Sequence, residues 1–435
     1  MPVSAETFDL LAFIDASPTP WHAVATCEAR LQAAGWKRVK ETAPSWHCGP
    51  GDRGYVVRQG GSIIAWKGGS KPPSESGFRA IGAHTDSPNL RIKPNPDRKG
   101  SAGCATLGLE TYGGVLLASW ADRDLGVAGR VALRGPGERV QVETRLLRVD
   151  QPLCRVPNLA IHLNRGVNND GLILNKQTHL PALWAMAPDG DEGGFRTWLA
   201  EELRVEGDAI LGWDLCLFDV VPSTLSGRDR EFVHAPRLDN LASCHAGLTA
   251  LLNTADDDCE GTALLALFDH EEIGSRSSRG AASAFLGDVM ARLVGGGVVE
   301  LSQAKAQSFL VSADMAHAQH PNYPDMHDGE HAPLLNGGPV LKTHQEWRYA
   351  TDAEATGAWR GLCQEAGVPL QEFVVRTDLA CGSTIGPIVT TALGIAGVDV
   401  GNPMLSMHSI RELCGSADQP LMIRAMEGFL GWSRG

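Results

Sequence analysis

Ala263-Leu264-Leu265-Ala266-Leu267-Phe268-Asp269-His270-Glu271-Glu272 runs six apolar residues directly into four ionisable ones. An uninterrupted apolar run of this length, closed by polar residues, fits a strand buried on both faces, and such strands belong to parallel sheets covered by helices. In open sheets of that kind ligands bind outside the carboxyl ends of the strands. The ionisable tetrad therefore marks where chemistry is expected.

The same arrangement recurs outward from it. Ala80–Ala83 runs into His84-Thr85-Asp86, Phe309–Ala313 into Asp314 with His317 beyond, and Met404–Met407 into His408. Helices are expected from Ser4, from Thr19-Pro20 to Gly35, over Leu238–Leu252, after Gly280 and over Asp352–Ala366, with a final helix opened by a Ser416/Gln419 capping box. Tyr55–Arg58, Ser62–Lys67 and Glu372–Val375 read as further strands, and 68–77 as a polar loop. Between about Ser87 and His234 the helical rhythm stops, and β-like pieces such as Arg130–Leu133 and Arg139–Val149 replace it. The expectation is an α/β domain with a mainly parallel sheet covered by helices, formed by 1–87 and 236–435 and interrupted by an inserted β-rich domain at 88–235.

Composition removes several classes of function. With 38 basic and 51 acidic residues the formal charge is −13, and no basic run reverses it locally, so nucleic acid is an unfavourable partner. The longest near-apolar stretch, Gly113 to Ala121, is under half of a membrane span, so no membrane role is expected. No Lys or Arg precedes Arg30, and the ten cysteines form no CxxC pair. A cytoplasmic protein with reduced thiols is the reading.

The strand-end positions supply His84, Glu272, Asp314 and His408, and the expected helix start at 237–240 supplies Asp239, as candidate metal ligands. Carboxylates crowded on one rim oppose each other's ionisation unless a cation compensates them. Imidazoles with carboxylates and no thiolate suit Zn²⁺, and also Mn²⁺ or Co²⁺. Five ligands over-supply one ion and fit two if Asp239 bridges, which is equipment for amide hydrolysis. Glu271 and Glu272 are adjacent, so their side chains diverge, and one can bind metal while the other acts as general base. Asp86 is placed to accept the second ring N–H of His84 and fix its tautomer. Singly, a His-x-Asp or a Glu-Glu pair is usually a structural or solvated feature, and the His317, His320, His327, His331 group lies in a polar loop. Convergence of four strand ends raises the first set above that background.

Six segments in order resemble the signature segments of the aspartyl aminopeptidases, cocatalytic zinc exopeptidases: 82–88 (GAHTDSP), 122–125 (DRDL), 237–240 (RLDN), 269–275 (DHEEIGS), 312–317 (SADMAH) and 407–412 (MHSIRE). With Ser17-Pro18-Thr19-Pro20-Trp21-His22 at the start, the resemblance covers nearly the whole chain. It implies His84, Asp239 and Asp314 on one zinc, Asp239, Glu272 and His408 on the other, and Glu271 as the base. It further implies His317, Lys342 and Tyr349 as substrate contacts. His162 would reach a neighbouring subunit's site within a homododecamer built from dimers through the inserted domain. His270, where Asn is expected, and Leu379-Ala380, where Ser-Pro or a similar pair is usual, depart from the pattern without touching a ligand.

The resulting expectation is a metallo-aminopeptidase that removes an unblocked amino-terminal Asp or Glu from peptides. Lys342 is the first choice for the cation that meets the substrate carboxylate, with Arg348 and Arg376 as alternatives. A metal-dependent deacylase for N-acyl compounds and a non-catalytic scaffold are the other classes. The scaffold reading leaves the pairing of Glu271 with Glu272 without a use.

Overall fold

A computed structural model establishes the fold and describes residues 3–101, 103–137, 139–187, 194–255 and 259–433. The chain folds as two compact units, one of residues 1–86, 223–407 and 412–435, the other of 87–222 and 408–411. The second unit begins within one residue of the expected boundary, ends at 222 instead of 235, and takes in 408–411. Thr224–Ser226 and Phe232–Ala235 form a hairpin, and its second strand pairs with Glu412–Gly415, which ties 223–235 to the first unit. The segment 408–411 packs instead with the second, where Leu116 N donates to His408 O and Ile410 N to Ser119 Oγ.

In the first unit a nine-stranded sheet runs in the order Lys37–Arg38, Arg53–Arg58, Ser62–Lys67, Thr262–Phe268, Phe78–His84, Phe309–Ala313, Ala396–Gly401, Val340–Thr343, Gln371–Val374. Five of its eight neighbouring pairs are parallel and three antiparallel, so the sheet is mixed and mainly parallel. Successive side chains of a strand point to opposite faces. Ala263, Leu265 and Leu267 accordingly enter one core, with helices Ala5–Ala16, Pro20–Ala33, Leu238–Asn253, Ala353–Glu365 and Asp418–Leu430. Leu264, Ala266 and Phe268 enter the other, with Phe285–Val294, Val298–Gln307 and Ile385–Leu393. Both faces are thus dry, and each fully buried Leu or Phe contributes roughly 1.5–3 kcal/mol.

Helix starts follow the sequence where a side chain caps them. Ser4 Oγ accepts from Thr7 N, Thr19 Oγ1 from His22 N with Pro20 behind it, and Asp352 Oδ1 from Ala355 N. The last helix is a correction. It begins at Asp418, not at Ser416, and its preceding residue Ala417 offers no side-chain cap. Ser416 is held by Glu231 O and Thr7, while Gln419 donates to Ala242 O in the core. The strand expected at Met404–Met407 is shorter, Pro403–Leu405, and lies in a separate five-stranded sheet with Thr224–Ser226, Phe232–Ala235, Glu412–Gly415 and Ala316–His317. The polar loop 68–77 contains a single helical turn, Pro73–Ser76.

The second unit is built on a six-stranded antiparallel sheet, ordered Val142–Cys154, Leu125–Arg134, Ile210–Asp219, Asn89–Lys99, Cys104–Tyr112, Ala182–Met186. Its core gathers Leu90, Leu107, Trp120, Leu125, Val127 and Phe195. Among the described residues no helix is long and apolar enough to cross a membrane.

Candidate active site

Three adjacent parallel strands of the first unit, Thr262–Phe268, Phe78–His84 and Phe309–Ala313, end side by side, and the residues at and just past their ends form the site. His84 is buried. Its Nε2 lies 3.3 Å from Asp239 Oδ1 and 3.5 Å from Asp314 Oδ1. Its Nδ1 lies 3.0 Å from the backbone oxygen of Asp86. A carbonyl can only accept, so Nδ1 carries a proton, and Nε2 is the ring atom that faces the two carboxylates.

The Asp86 carboxylate stands beside the same ring nitrogen and has a second task. It is 3.5 Å from His84 Nδ1, and its closer partners are the backbone N–H groups of Glu271 and Glu272, each donating at 3.1 Å. Asp86 thus sets the histidine tautomer with its main chain and clamps the Glu271–Ile273 turn with its side chain. Asp239 sits in the first turn of Leu238–Asn253, where it and Asn240 leave helical geometry. Asp239 N donates to Glu412 Oε2 and Asn240 Nδ2 to Ala313 O, fixing the helix start against the end of Phe309–Ala313. Asp314 N donates to Val400 O, and Gly401 must lack a side chain because a Cβ there would overlap Asp314 O.

Ligand-type atoms of His84, Asp239 and Asp314 lie within 4.8 Å of one another, as do those of His84, Glu271 and Glu272. Electrostatics register the crowding. Burial would depress the His84 pKa, but hydrogen bonds to Asp239, Asp314 and Asp86 outweigh it and hold the imidazole well above its usual value. Burial pushes the Glu271 carboxyl up to about 8, opposed by His84 and reinforced by Asp314, Asp86 and Asp239. Glu272 is raised well above the usual range by burial and then by Asp239. Acceptors gathered this closely require a cation, and a donor set of imidazole nitrogen and carboxylate oxygen fits zinc.

The remaining expected residues occupy several places. Lys342 is buried, and its ammonium donates to Asp314 O at 2.9 Å and Met315 O at 3.2 Å, with the Tyr349 ring 5.1 Å away. The structure therefore gives Lys342 a backbone-holding task beside the candidate metal ligands. Tyr349 is buried, and burial with the Cys381 thiol holds its phenol far above its usual pKa. His317 opens to a cavity of about 290 Å³ while protein on its other sides and Lys342 lower its pKa. Arg376 also lines that cavity and is paired with Asp378, whereas Arg348 does not line it.

His162 lies in the second unit and is exposed, in a loop whose start is held by Asp122, which accepts from Asn158 N and Nδ2. His408 also belongs to the second unit. Its Nδ1 is 3.0 Å from Gly114 O, the tautomer of His84 repeated. Sequence reasoning assigned no part to Glu412, although it lies in the 407–412 segment. It also left Cys244, whose Sγ donates to His84 O at 2.9 Å, among the buried thiols.

Residues 13–430 match the family model described as aminopeptidase I zinc metalloprotease (M18). The chain belongs to this family. It is 47% identical over 424 residues to a probable M18 family aminopeptidase 2 of Ectopseudomonas mendocina, covering 97% of this chain and 96% of that one. A cryo-EM structure of the Ape4 and Nbr1 complex superposes with a TM-score of 0.93 at 36% identity, covering 99% of this chain and 88% of that one. The mApe1 dodecamer of S. cerevesiae superposes with a TM-score of 0.83 at 28% identity, covering 97% and 95%. The protein is a metallo-aminopeptidase of the M18 family, and zinc is the family's metal.

Proposed function

We propose that the chain removes an unblocked amino-terminal Asp or Glu from peptides, with two zinc ions at the strand ends and Glu271 as general base. The observation that carries this reading is the meeting of His84 Nε2 with Asp239 and Asp314, with the Glu271 and Glu272 carboxylates beside the same imidazole. Asp239 is the shared ligand, Asp314 and His84 complete one set, and Glu272 belongs to the other. His408 as its third member, and His162 as a contributor to a neighbouring subunit's site, rest on the family resemblance alone. Bound zinc supplies Lewis acidity, polarising the scissile carbonyl, acidifying water and neutralising the developing oxyanion, and the same donors suit Mn²⁺ or Co²⁺ in one site.

Glu271 takes the proton of the attacking water and passes it to the leaving amine, a task suited to a carboxyl whose proton affinity is raised towards neutral pH. Selection of an acidic side chain falls to local cations, because the overall charge of −13 repels anions. The cavity beside His317 and Tyr349 is lined by three imidazoles and the Arg376 guanidinium, with no carboxylate among its described lining residues. Lys342 adds a fixed positive charge next to it. Large side chains left exposed on the second unit, Val140, Val142, Leu163, Ile173 and Met186 among them, support a homo-oligomer, and a dodecamer follows the S. cerevesiae mApe1 precedent. We place the protein in the cytoplasm.

The test is kcat/KM for Asp-, Glu-, Leu- and Lys-peptides beside their N-acylated forms. Asp and Glu should lead by at least about 10-fold, the equivalent of about 1.4 kcal/mol in the transition state, and blocked peptides should not react. Equal rates for Leu would remove the acid preference and leave the aminopeptidase. Preferential cleavage of blocked substrates would replace it with a deacylase.

A further inference from the structure

Glu271 has an unusual dependence on its own backbone. Among the described residues no hydrogen bond to its carboxylate holds it, so the turn that carries it is a main restraint on where that carboxylate points. Asp86 holds the turn from one side through Glu271 N and Glu272 N. The other side is held through His270, the residue immediately before the base.

His270 lies in the left-handed region at φ 68°, and its ring is fixed at both nitrogens. Arg279 Nη2 is 3.0 Å from Nε2. A guanidinium can only donate, so Nε2 accepts, Nδ1 carries the proton, and Nδ1 donates to Ser277 Oγ at 2.7 Å. Arg279 is itself anchored. Its Nε donates to the buried Asp269 carboxylate at 2.6 Å and its Nη1 to Gln59 Oε1 at 3.2 Å. Asp269 Oδ1 also accepts from His270 N at 2.8 Å. Ser62 Oγ closes the bracket by accepting from Asp269 N and donating to Arg279 O. Gly61 makes room for it, since a Cβ there would stand 2.5 Å from Asp269 Oδ2.

This bracket spans the end of the strand Thr262–Phe268 and the loop 275–280, and the turn bearing Glu271 is the segment between them. Ser275 N donates to His270 O at 2.7 Å, so the turn is fastened at its base as well. None of these groups is among the proposed metal ligands or lines the cavity beside His317.

We propose that His270, locked between Arg279 and Ser277, is a positioning residue that aims Glu271 at the reacting water. The proposal rests on the reading of Glu271 as the base. The loss of an orienting partner of a site residue typically costs 10–100-fold, and here it falls on kcat, because His270 is neither one of the proposed metal ligands nor a lining residue of the cavity beside His317.

The experiment compares wild type, H270A, H270Q, E271Q and the double variant H270A/E271Q in zinc-loaded protein, reading kcat, KM, zinc content and Tm. H270A should lower kcat by about 10–100-fold with KM within about 3-fold and zinc content unchanged. H270Q places an amide oxygen where Nε2 accepts from Arg279 and should recover most of that loss. On the E271Q background H270A should cost nothing further, because residues that act as a unit are not additive. A purely structural role would multiply the two losses and move Tm and zinc content with them, and that result overturns the proposal. Wild-type kcat in H270A overturns it as well. Near-normal turnover in E271Q would instead remove Glu271 as the base, and H270A then reports on a different group, so the two failures are distinguishable.

Discussion

The two units differ in how much charge they bury and in how densely they expose large apolar side chains, although Val298 and Val299 are exposed on the first as well. The first buries charge: His84, Asp86, Asp239, Asp269, Lys342 and Asp399 are each at most 4% exposed. The second has Asp219 as its one buried ionic side chain among the described residues, yet leaves Val142, Leu163, Ile173 and Met186 at least 60% exposed. Burying charge is unfavourable unless something compensates it, and exposing large apolar side chains is unfavourable unless something covers them. Each unit is therefore incomplete in its own way. The first calls for cations and the second for a protein surface.

The largest test of that contrast is Glu271→Gln. It keeps the shape and removes the base, so kcat should fall by about 10²–10⁴-fold while zinc content is retained. Loss of zinc instead would make Glu271 a ligand. Lys342→Met comes next. If its charge reads the substrate, kcat/KM should fall by about 10–100-fold for Asp and Glu and much less for Leu, as expected for one charge-assisted contact. Uniform loss would leave only its hold on Asp314 O and Met315 O.

Stripping the metal should expose the same imbalance in stability. The folded Glu271 carboxyl is raised from 4.5 to about 8, so the folded state keeps a proton that the unfolded chain releases. Its contribution is present below the unfolded value and lost as pH rises through the folded one. Chelated protein should therefore lose Tm between pH 5 and pH 9, and zinc-loaded protein should lose less. Identical profiles would detach the carboxylates from metal. The smallest effect on the chemistry is expected at the second unit. Val142→Glu should shift the sedimentation profile to smaller species and leave Tm within the few degrees usual for surface changes. An unchanged assembly would show that this face is not the covered one.

Much of this was legible because buried parallel strands announce themselves as short apolar runs, and the residue after each run is then a site candidate. Ala263–Phe268 and Phe309–Ala313 needed nothing more. The strand Ala396–Gly401 escaped because it carries Asp399, whose carboxylate accepts from Ser312, Thr384 and Ala350 N. A buried acid satisfied by distant donors leaves no local trace. Ser416 misled because its capping pattern is local, whereas its partners come from Thr7 and Glu231. Asp86 was expected beside the imidazole and stands 3.5 Å from His84 Nδ1; its second task, holding the turn 185 residues away through Glu271 N and Glu272 N, left no local trace.

The central claim is that the carboxylates of the first unit converge because they hold metal. Zinc bound per chain, measured by elemental analysis after dialysis in wild type and in Asp239→Asn, tests it most directly. Two zinc ions in wild type and fewer than one in the variant is the predicted result, since the shared ligand serves both. A wild type without bound zinc, or a variant that keeps both ions, would contradict the account.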